Sequence, residues 1–303
     1  MRKDVTILTG DPTIELIAAM KLLPIGIEAM MDWVRVHRPE CLPDDPEDQS
    51  WRSLFPHDLE EATANANDSM VVQKRPLTDN ELLVELAGRK CYDSFGKKAG
   101  KKSNSEYIKN TQQGDIPHAS ILYHAKLSFF FAGISRRVSH ELIRNYVGAD
   151  RDEEGAPSQE STRFTHHYGF FICPPRYLGS DAFWDAAAAS GVRQHFEQSM
   201  QLAYDNYLKA VELEVKEFEL RYGKPPTSID KKRIYEAASS FLPHQAETSF
   251  IWTTNPAAIA KLVRERANNA ADLEIQRFAR KLRRVAVDYC PNLFPQVWMQ
   301  STD

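Results

Sequence analysis

Arginines, hydroxyls and amides are concentrated in a short stretch near the middle of the chain. Residues 135–164 read SRRVSHELIRNYVGADRDEEGAPSQESTRF, and Arg136, Arg137 and Arg144 lie on the part with helical periodicity. An acidic loop with Gly and Pro follows and ends in the polar run SQESTR at residues 158–163. Guanidinium groups bind phosphate oxygens and pyrimidine carbonyls through paired hydrogen bonds, and hydroxyls and amides can complete such a site. The stretch predicts a site for an anionic small molecule; a helix with surface ion pairs and an ordinary polar loop are the alternatives.

Arg266 lies on an otherwise apolar face of a predicted helix near the C-terminus. Residues three and four apart share one helical face, and this face is formed by Ile259, Val263, Arg266, Ala270 and Leu273. An unpaired charge in apolar surroundings is costly, so the guanidinium needs a partner. The spacing leaves two interpretations open, an ion pair with a core carboxylate and a position that faces a ligand pocket.

The common signatures of covalent or metal-dependent catalysis are missing from the sequence. It contains no GxSxG, GxGxxG or P-loop motif. His118 and His124 are too far apart along a helix to make a good pair of metal ligands. The cysteines form no CxxC pair, which predicts neither a disulfide framework nor a zinc site and favours a reducing compartment; they are Cys41, Cys91, Cys173 and Cys290. We therefore expect no metal and an anion site without an enzyme nucleophile.

The composition indicates a globular protein with a sizeable core. The 303 residues are 42% hydrophobic, which suits one large domain or two small ones. Lys and Arg number 38 against 42 Asp and Glu, so no basic excess points to a nucleic-acid polymer as a partner. The apolar stretch at residues 14–31 is interrupted by Glu15, Lys21 and Glu28, which favours an amphipathic helix over a membrane span. With no apolar signal core at the N-terminus, the expected location is the cytoplasm, with no membrane partner.

The chain is predicted to divide into an N-terminal extension, residues 1–80, and a more regular domain, residues 81–303. The extension is partly helical and contains a Pro- and Asp-rich connector with brief helical turns. The periodicity predicts strands at residues 5–8, 126–135, 164–175 and 247–254, and helices after Thr78 or Asp79 and at 118–126, 135–146, 181–222, 229–241 and 256–288. These elements indicate an α+β fold of long helices packed on an antiparallel sheet.

The order of several sequence blocks resembles the flavin-dependent thymidylate synthases. The blocks are HASILYHAKLSFFFAGISRRVSHELIR, SQESTRF, FLP and ETSFIWTTNPAAIAKLVRERANNAADLEI, and they cover most of residues 82–295. The chain resembles in particular a divergent branch that methylates UMP in nucleoside-antibiotic pathways. The resemblance implies a catalytic domain at 81–303 that forms a homotetramer with active sites at subunit interfaces. It also implies FAD as cofactor, NADPH as reductant, methylenetetrahydrofolate as carbon donor and C5 of a uracil nucleotide as acceptor.

The same resemblance implies roles for individual residues. It implies that Arg266 is the catalytic residue, because Arg266 matches a family arginine that contacts the pyrimidine and favours its ionisation. The nucleotide-binding positions are Tyr92, Arg136, Glu141, Arg144, Gln159, Glu160, Ser161, Thr162, Arg163 and Ser239. The flavin-binding positions are Ser120, Arg144, Asn145, Tyr146, Gln159, Asn255, Ala257 and Lys261.

Departures from the family pattern bear on the substrate. Asn145 and Tyr146 follow Arg144 where the family has His-Arg, and an insertion at residues 147–155 comes next. Tyr123 replaces a usual glutamate, and Ser239 replaces an arginine that touches the nucleotide. We expect that the smaller Ser239 leaves room for a ribose 2′-hydroxyl, so that UMP is accepted beside or instead of dUMP. The alternatives are a catalytically degenerate homologue that binds nucleotide or flavin as a regulator or scaffold, and an unrelated helical interaction protein.

Overall fold

The computed structural model describes residues 5–57, 59–65, 68–113, 118–144, 156–163, 170–174 and 185–294. Its strands are β1 (Val5–Ile7), β2 (Thr13–Ala19), β3 (Glu60–Asn65), β4 (Asp68–Pro76), β5 (Leu127–Ser135), β6 (Ala156–Gln159), β7 (Phe170–Ile172) and β8 (Glu247–Thr254). Its α-helices are α1 (Pro24–His37), α2 (Asp79–Cys91), α3 (Asn104–Gln113), α4 (Arg136–Arg144), α5 (Val192–Tyr222), α6 (Ser228–Ala238), α7 (Pro256–Arg266) and α8 (Leu273–Tyr289). The predicted α+β class is confirmed.

A four-stranded antiparallel sheet in the order β2-β5-β8-β6 lies at the centre of the described structure. Successive side chains of a strand point to opposite faces, and Leu127, Phe129 and Phe131 of β5 are accordingly buried. The Phe131 ring packs against Phe250 of β8 and Phe278 of α8, at centroid distances of 4.8 and 4.9 Å. Buried side chains of α2, α3, α4, α7 and α8 belong to the same core cluster. The sheet and these helices therefore form one core that supports α4 and α7.

The first eighty residues pair with the rest of the chain. β2 is an edge strand of the central sheet, and β1 pairs in parallel with β7. The backbone N–H of Leu22 donates to Asp79, at the start of α2, at 3.0 Å. The connector contains 3-10 turns at Pro39–Cys41, Pro46–Asp48 and Trp51–Leu54, as predicted. The boundary at residue 80 stays a prediction, and strands from both sides of it share one sheet.

The prediction of a single amphipathic helix over residues 14–31 is wrong. Residues 13–19 form β2, and α1 begins only at Pro24. Ile14 is buried and Leu16 packs against the core, whereas Glu15 is exposed. This alternation has the period of a strand, and proline at the first helical position marks the later helix start.

The predicted helix at residues 256–288 is in fact two helices, α7 and α8. In the break between them, Asn268 Nδ2 donates to the carbonyl of Glu265 at 2.7 Å, and Asn268 Oδ1 accepts from Ala270 N–H at 2.9 Å. Such local bonds compete with the helical pattern. Asp272 then caps α8 by accepting the N–H of Glu274 at 3.1 Å. Ala270 is exposed in this break, so the apolar face predicted around Arg266 ends with α7.

The strands predicted at residues 126–135 and 247–254 are confirmed as β5 and β8. The helix predicted at 181–222 corresponds to α5 but begins only at Val192, and the helix predicted at 229–241 corresponds to α6, which ends at Ala238 before a 3-10 turn at Ser239–Phe241. Thr78 caps α2 through a reciprocal capping box with Glu81. Within the described residues, no helix is long and apolar enough to cross a membrane.

Candidate functional site

The start of α4 is fixed by the turn that precedes it and by backbone hydrogen bonds to the segment before β8. Gly133 has φ +71°, a left-handed conformation that glycine adopts without strain, and it redirects the chain at the end of β5. The backbone N–H groups of Arg136 and Arg137 donate to the carbonyls of Ala246 and His244 at 2.9 and 3.0 Å. These two bonds satisfy donors that a helix N-terminus leaves unpaired. The backbone positions from which the α4 side chains extend are therefore fixed.

Arg136 is partly buried where α4 meets the polar run after β6. Its Nη2 donates to the carbonyl of Glu160 at 3.1 Å. Its Nε is buried and has no hydrogen-bond partner in the described part of the chain. Burial lowers the pKa of Arg136, while the carboxylates of Glu160 and Glu247 act in the opposite direction. The guanidinium thus retains an unused donor next to the predicted nucleotide loop.

Glu247, at the start of β8, is a carboxylate of this region that the sequence analysis did not identify. Its Oε1 accepts the N–H of Gly133 at 2.8 Å. Burial raises the pKa of Glu247, and the nearby charge of Glu160 adds to this, whereas Arg136 lowers it. The first residue of a predicted strand gives no sign of this role, because the contact depends on the bulge in β5 opposite it.

Arg266 lies at the end of α7 and faces Glu141 of α4. Its Nη1 is 3.7 Å from Glu141 Oε2, and the two side chains are 23% and 21% exposed. The Nε of Arg266 is buried and has no hydrogen-bond partner among the described residues. Both interpretations of Arg266 are therefore compatible with the structure, because it pairs with a carboxylate and still has a donor available for a ligand.

Gln159 joins the polar run to the sheet and to α4. Its Nε2 donates to Ser139 Oγ at 3.1 Å and to Thr248 Oγ1 at 3.0 Å. The N–H of the next residue, Glu160, donates to the carbonyl of Ser249 at 3.0 Å. Gln159 is thus engaged in holding β6 against β8, and its predicted contacts with nucleotide and flavin stay predictions.

The end of the polar run reaches the C-terminal part of α6. Arg163 Nη2 lies 3.0 Å from Glu236 Oε2, and both side chains are about half exposed. Arg163 N–H donates to Ser161 Oγ at 3.3 Å. Ser239 Oγ donates to the carbonyl of Glu236 at 2.7 Å. The structure therefore pairs Arg163 with Glu236, a residue that the sequence analysis missed, and Ser239 follows Glu236 by three residues.

Other predicted positions lie around this centre or have structural roles. Tyr92 is 61% exposed, and its hydroxyl forms a 2.8 Å hydrogen bond with His118 Nε2. Ser120 is exposed on the 3-10 turn before β5, and Thr162 is partly buried in the turn after Ser161. The predicted role of each of these residues remains untested by the geometry.

The predicted flavin positions at the start of α7 are tied to the helix itself. Asn255 is fully buried, and its Oδ1 caps α7 by accepting Ala258 N–H at 2.9 Å. Ala257 packs against the core, and Lys261 is partly buried. The side chain of Asn255 is therefore engaged in the cap, and its flavin contact stays a prediction.

Some predicted positions lie outside the residues that can be described. Arg144 is the last residue of α4, but its side chain is outside the description, as are Asn145, Tyr146 and the insertion at residues 147–155. Within the described residues, no group of three or more His, Cys, Asp and Glu side chains could hold a metal ion.

Comparisons with known proteins agree on one family. The family model described as thymidylate synthase complementing protein matches residues 72–292. The chain is 31% identical over 218 residues to a flavin-dependent thymidylate synthase of Mycolicibacterium vanbaalenii, covering 70% of this chain and 77% of that protein. It is 28% identical over 218 residues to a protein of the same name from Corynebacterium aurimucosum, covering 72% and 80%.

Among solved structures, the chain is similar to thymidylate synthase X of Helicobacter pylori, determined with FAD and dUMP. The sequence identity is 18%, and the TM-score is 0.45. The similarity covers 68% of this chain and 88% of that chain.

Proposed function

The chain belongs to the flavin-dependent thymidylate synthase family, and we propose that it methylates C5 of a uridine monophosphate. The carbon donor would be methylenetetrahydrofolate and the reductant NADPH, as the family resemblance implies. The observation that carries the proposal is the paired position of Arg266 and Glu141, with a buried Nε of Arg266 that lacks a protein acceptor within the described residues.

The polar groups of the site fit FAD and a uracil nucleotide. A buried donor without an acceptor costs about 1–3 kcal/mol, and the Nε atoms of Arg136 and Arg266 are both such donors in the described structure. Flavin and uracil rings carry carbonyl oxygens, and both ligands carry phosphate, so either can supply the missing acceptors. Candidate residues for holding the flavin are Ser120, Arg144, Asn145, Tyr146, Gln159, Asn255, Ala257 and Lys261. When bound, FAD would supply the hydride that completes the methyl group.

Arg266 would act on the pyrimidine by charge. Its guanidinium can donate to the ring carbonyl and to N3, which favours the negative charge that makes C5 nucleophilic. Glu141, whose Oε2 is 3.7 Å from Arg266 Nη1, would orient the guanidinium without forming a close hydrogen bond. This electrostatic role needs no enzyme nucleophile.

The polar run would bind the phosphate and the sugar. Ser161, Thr162 and Arg163 supply two hydroxyls and a guanidinium at the end of the run. Ser239, whose hydroxyl bonds to the carbonyl of Glu236, is smaller than the arginine that the family has at this position. We infer that the smaller side chain admits a ribose 2′-hydroxyl, so that UMP is a substrate beside dUMP.

The family resemblance further suggests a cytoplasmic homotetramer whose active sites lie at subunit interfaces. In support, α5 exposes large apolar side chains along its length, with Leu202, Leu213 and Leu220 being 61%, 51% and 78% exposed. Apolar side chains exposed along one long helix are typical of a surface that packs against another subunit.

A competition assay tests the proposal. Purified protein would be incubated with FAD, NADPH, methylenetetrahydrofolate and equal amounts of dUMP and UMP, and the products identified by mass spectrometry. Methylated UMP is the expected result, with or without methylated dUMP. Methylated dUMP alone would contradict the inference about the 2′-hydroxyl. A protein that binds flavin or nucleotide but forms neither product would indicate the degenerate homologue instead.

A further inference from the structure

One face of α4 contacts both sides of the break between α7 and α8. Arg137 and Glu141 are four residues apart, so they lie one above the other on this face. Glu141 faces Arg266, the last residue of α7, at 3.7 Å. Arg137 forms an ion pair and hydrogen bond with Asp272, the residue that precedes α8. The break is therefore held against α4 by two ion pairs, one in which α4 supplies the carboxylate and one in which it supplies the guanidinium.

The end of α7 is held by apolar packing and by polar contacts. The last fully buried side chain of α7 is Val263, Arg264 and Glu265 are exposed, and Ala267, directly after Arg266, packs against the core. This packing holds the backbone of the last turn. The orientation of the Arg266 guanidinium depends on polar contacts such as the one with Glu141.

Asp272 makes two contacts at the end of the break between α7 and α8. Its Oδ1 accepts the N–H of Glu274 and caps α8, while its Oδ2 pairs with Arg137. Glu274 in turn accepts from the N–H and Oγ of Ser135 at 2.8 and 2.7 Å. The first turn of α8 is therefore tied to the start of α4, and the α7–α8 break ends at a fixed point.

We propose that Arg137 and Asp272 form a positioning pair that holds Arg266 in register with Glu141. The inference rests on the proposed function, in which Arg266 contacts the pyrimidine. The pair acts through Arg266 and does not touch the ligand. Since its side chains are 43% and 28% exposed, it contributes little to global stability, and its effect is on geometry. A misplacement of about 1 Å in a catalytic group costs on the order of 10²-fold in rate.

The substitution Asp272→Asn isolates the pair, because asparagine caps a helix as well as aspartate does, while the charge and the oxygen that accepts from Arg137 are lost. We expect kcat to fall about 10- to 100-fold, with a much smaller rise in KM for the nucleotide. Arg137→Gln should have the same effect, and the double variant should be no worse than either single one, because both remove one interaction. Arg137→Lys, which retains the charge, should recover most of the activity.

A binding measurement separates this inference from the proposed function. Calorimetric titration with UMP and dUMP should show that Asp272→Asn weakens binding by a factor as small as the rise in KM when Arg266 is present, and has no further effect in an Arg266→Lys background. Lys98→Gln is the matched control, since it breaks an exposed ion pair with Glu40 at 2.6 Å, away from α4, and should change neither activity nor affinity.

The outcomes are distinct. Unchanged kcat and affinity in both single variants would overturn the positioning pair. Additive effects of the two variants, or a change confined to KM in Arg137→Gln, would also overturn it, because Arg137 would then contact the ligand directly. A wild-type protein without methylating activity would overturn the proposed function, and the binding titrations would still decide whether the pair acts through Arg266.

Discussion

Glu141 Oε2 lies 3.7 Å from Arg266 Nη1, and this contact joins the last turn of α4 to the last residue of α7. The distance is longer than the roughly 2.7–3.2 Å of an N–H···O hydrogen bond. The two groups therefore attract each other by charge, and Arg266 Nη1 does not donate a hydrogen bond to Glu141. The guanidinium is thereby oriented while its Nε remains buried and without an acceptor in the described residues. A preorganised donor of this kind suits the negative charge that would develop on the pyrimidine in the proposed reaction.

We predict that Arg266→Lys lowers kcat/KM for UMP and dUMP by roughly 10²- to 10³-fold. Lysine keeps the positive charge but loses the planar fork and the Nε donor. Steady-state kinetics with saturating FAD would measure the effect. Arg264→Lys, an exposed position on the same helical turn, is the matched control and should retain wild-type kinetics. An equal loss of kcat/KM in Arg264→Lys and Arg266→Lys would show that any substitution at the end of α7 lowers activity, whether or not it removes the Nε donor of Arg266.

The sequence analysis named the arginines of this region but only some of the carboxylates that face them. The spacing put Arg266 on a predicted apolar face, the resemblance implied Arg136 and Arg163, and their roles stay predictions. Of the facing carboxylates, the analysis named Glu141 and Glu160 but neither Glu236 nor Glu247. Glu236 and Glu247 reach the site only through the packing of α6 and the bulge in β5, which no local pattern encodes.

The errors in secondary structure have local causes. The residues before α8 carry a capping signal, Asp272 followed by an acidic residue in the first turn, which marks a helix start. The long apolar periodicity on both sides concealed it. In β2, the alternation of Ile14 and Leu16 with exposed residues is a strand pattern, but the apolar run that continues to residue 31 suggested one helix.

We predict that Arg163→Gln weakens binding of UMP but not of uridine. A charge-assisted hydrogen bond contributes about 1.5–3 kcal/mol, which corresponds to a loss of roughly 10- to 150-fold in affinity. Uridine lacks the phosphate that Arg163 is proposed to contact, so its weaker affinity should not change. Titration calorimetry with both ligands would measure this. In Glu236→Gln, which removes the 3.0 Å partner of Arg163, UMP affinity should not fall. Equal losses for UMP and uridine would argue against a phosphate contact.

We predict that Glu85→Gln destabilises the protein by about 3–5 kcal/mol, because it leaves a buried arginine without its carboxylate. Glu85 is fully buried, and its oxygens accept from Arg89 Nε at 2.6 Å and Asn104 Nδ2 at 2.7 Å, with His57 Nε2 at 2.9 Å. Urea unfolding at neutral pH would give the free energy. Glu40→Gln, at an exposed ion pair, should cause little change. A small effect at both positions would mean that the buried network relaxes when its charge is removed.

The same carboxylate makes the stability of the protein depend on pH. Burial alone would raise the pKa of Glu85, but the contacts with His57, Arg89 and Asn104 outweigh it, and the pKa is lowered. A lowered pKa contributes stability above the ordinary value of about 4.3, and this contribution is lost as the pH falls through the folded-state pKa. Unfolding free energies between neutral and acidic pH should therefore fall more steeply in the wild type than in Glu85→Gln. If the unfolding free energy falls equally steeply with decreasing pH in both proteins, the pH dependence does not come from Glu85.

Glu247 should show the opposite pH dependence. Burial raises the pKa of this carboxyl, so folding favours its protonated form. Its contribution to stability is complete below the ordinary value of about 4.3 and is lost as the pH rises through the folded-state pKa. Glu247→Gln imitates the protonated group and can still accept the N–H of Gly133, a 2.8 Å bond in the wild type. Relative to wild type, we therefore predict that this variant gains unfolding free energy at pH 7 and that the gain disappears near pH 4. If it is instead less stable at pH 7, the ionised carboxylate must stabilise the fold through Arg136 more than its burial costs.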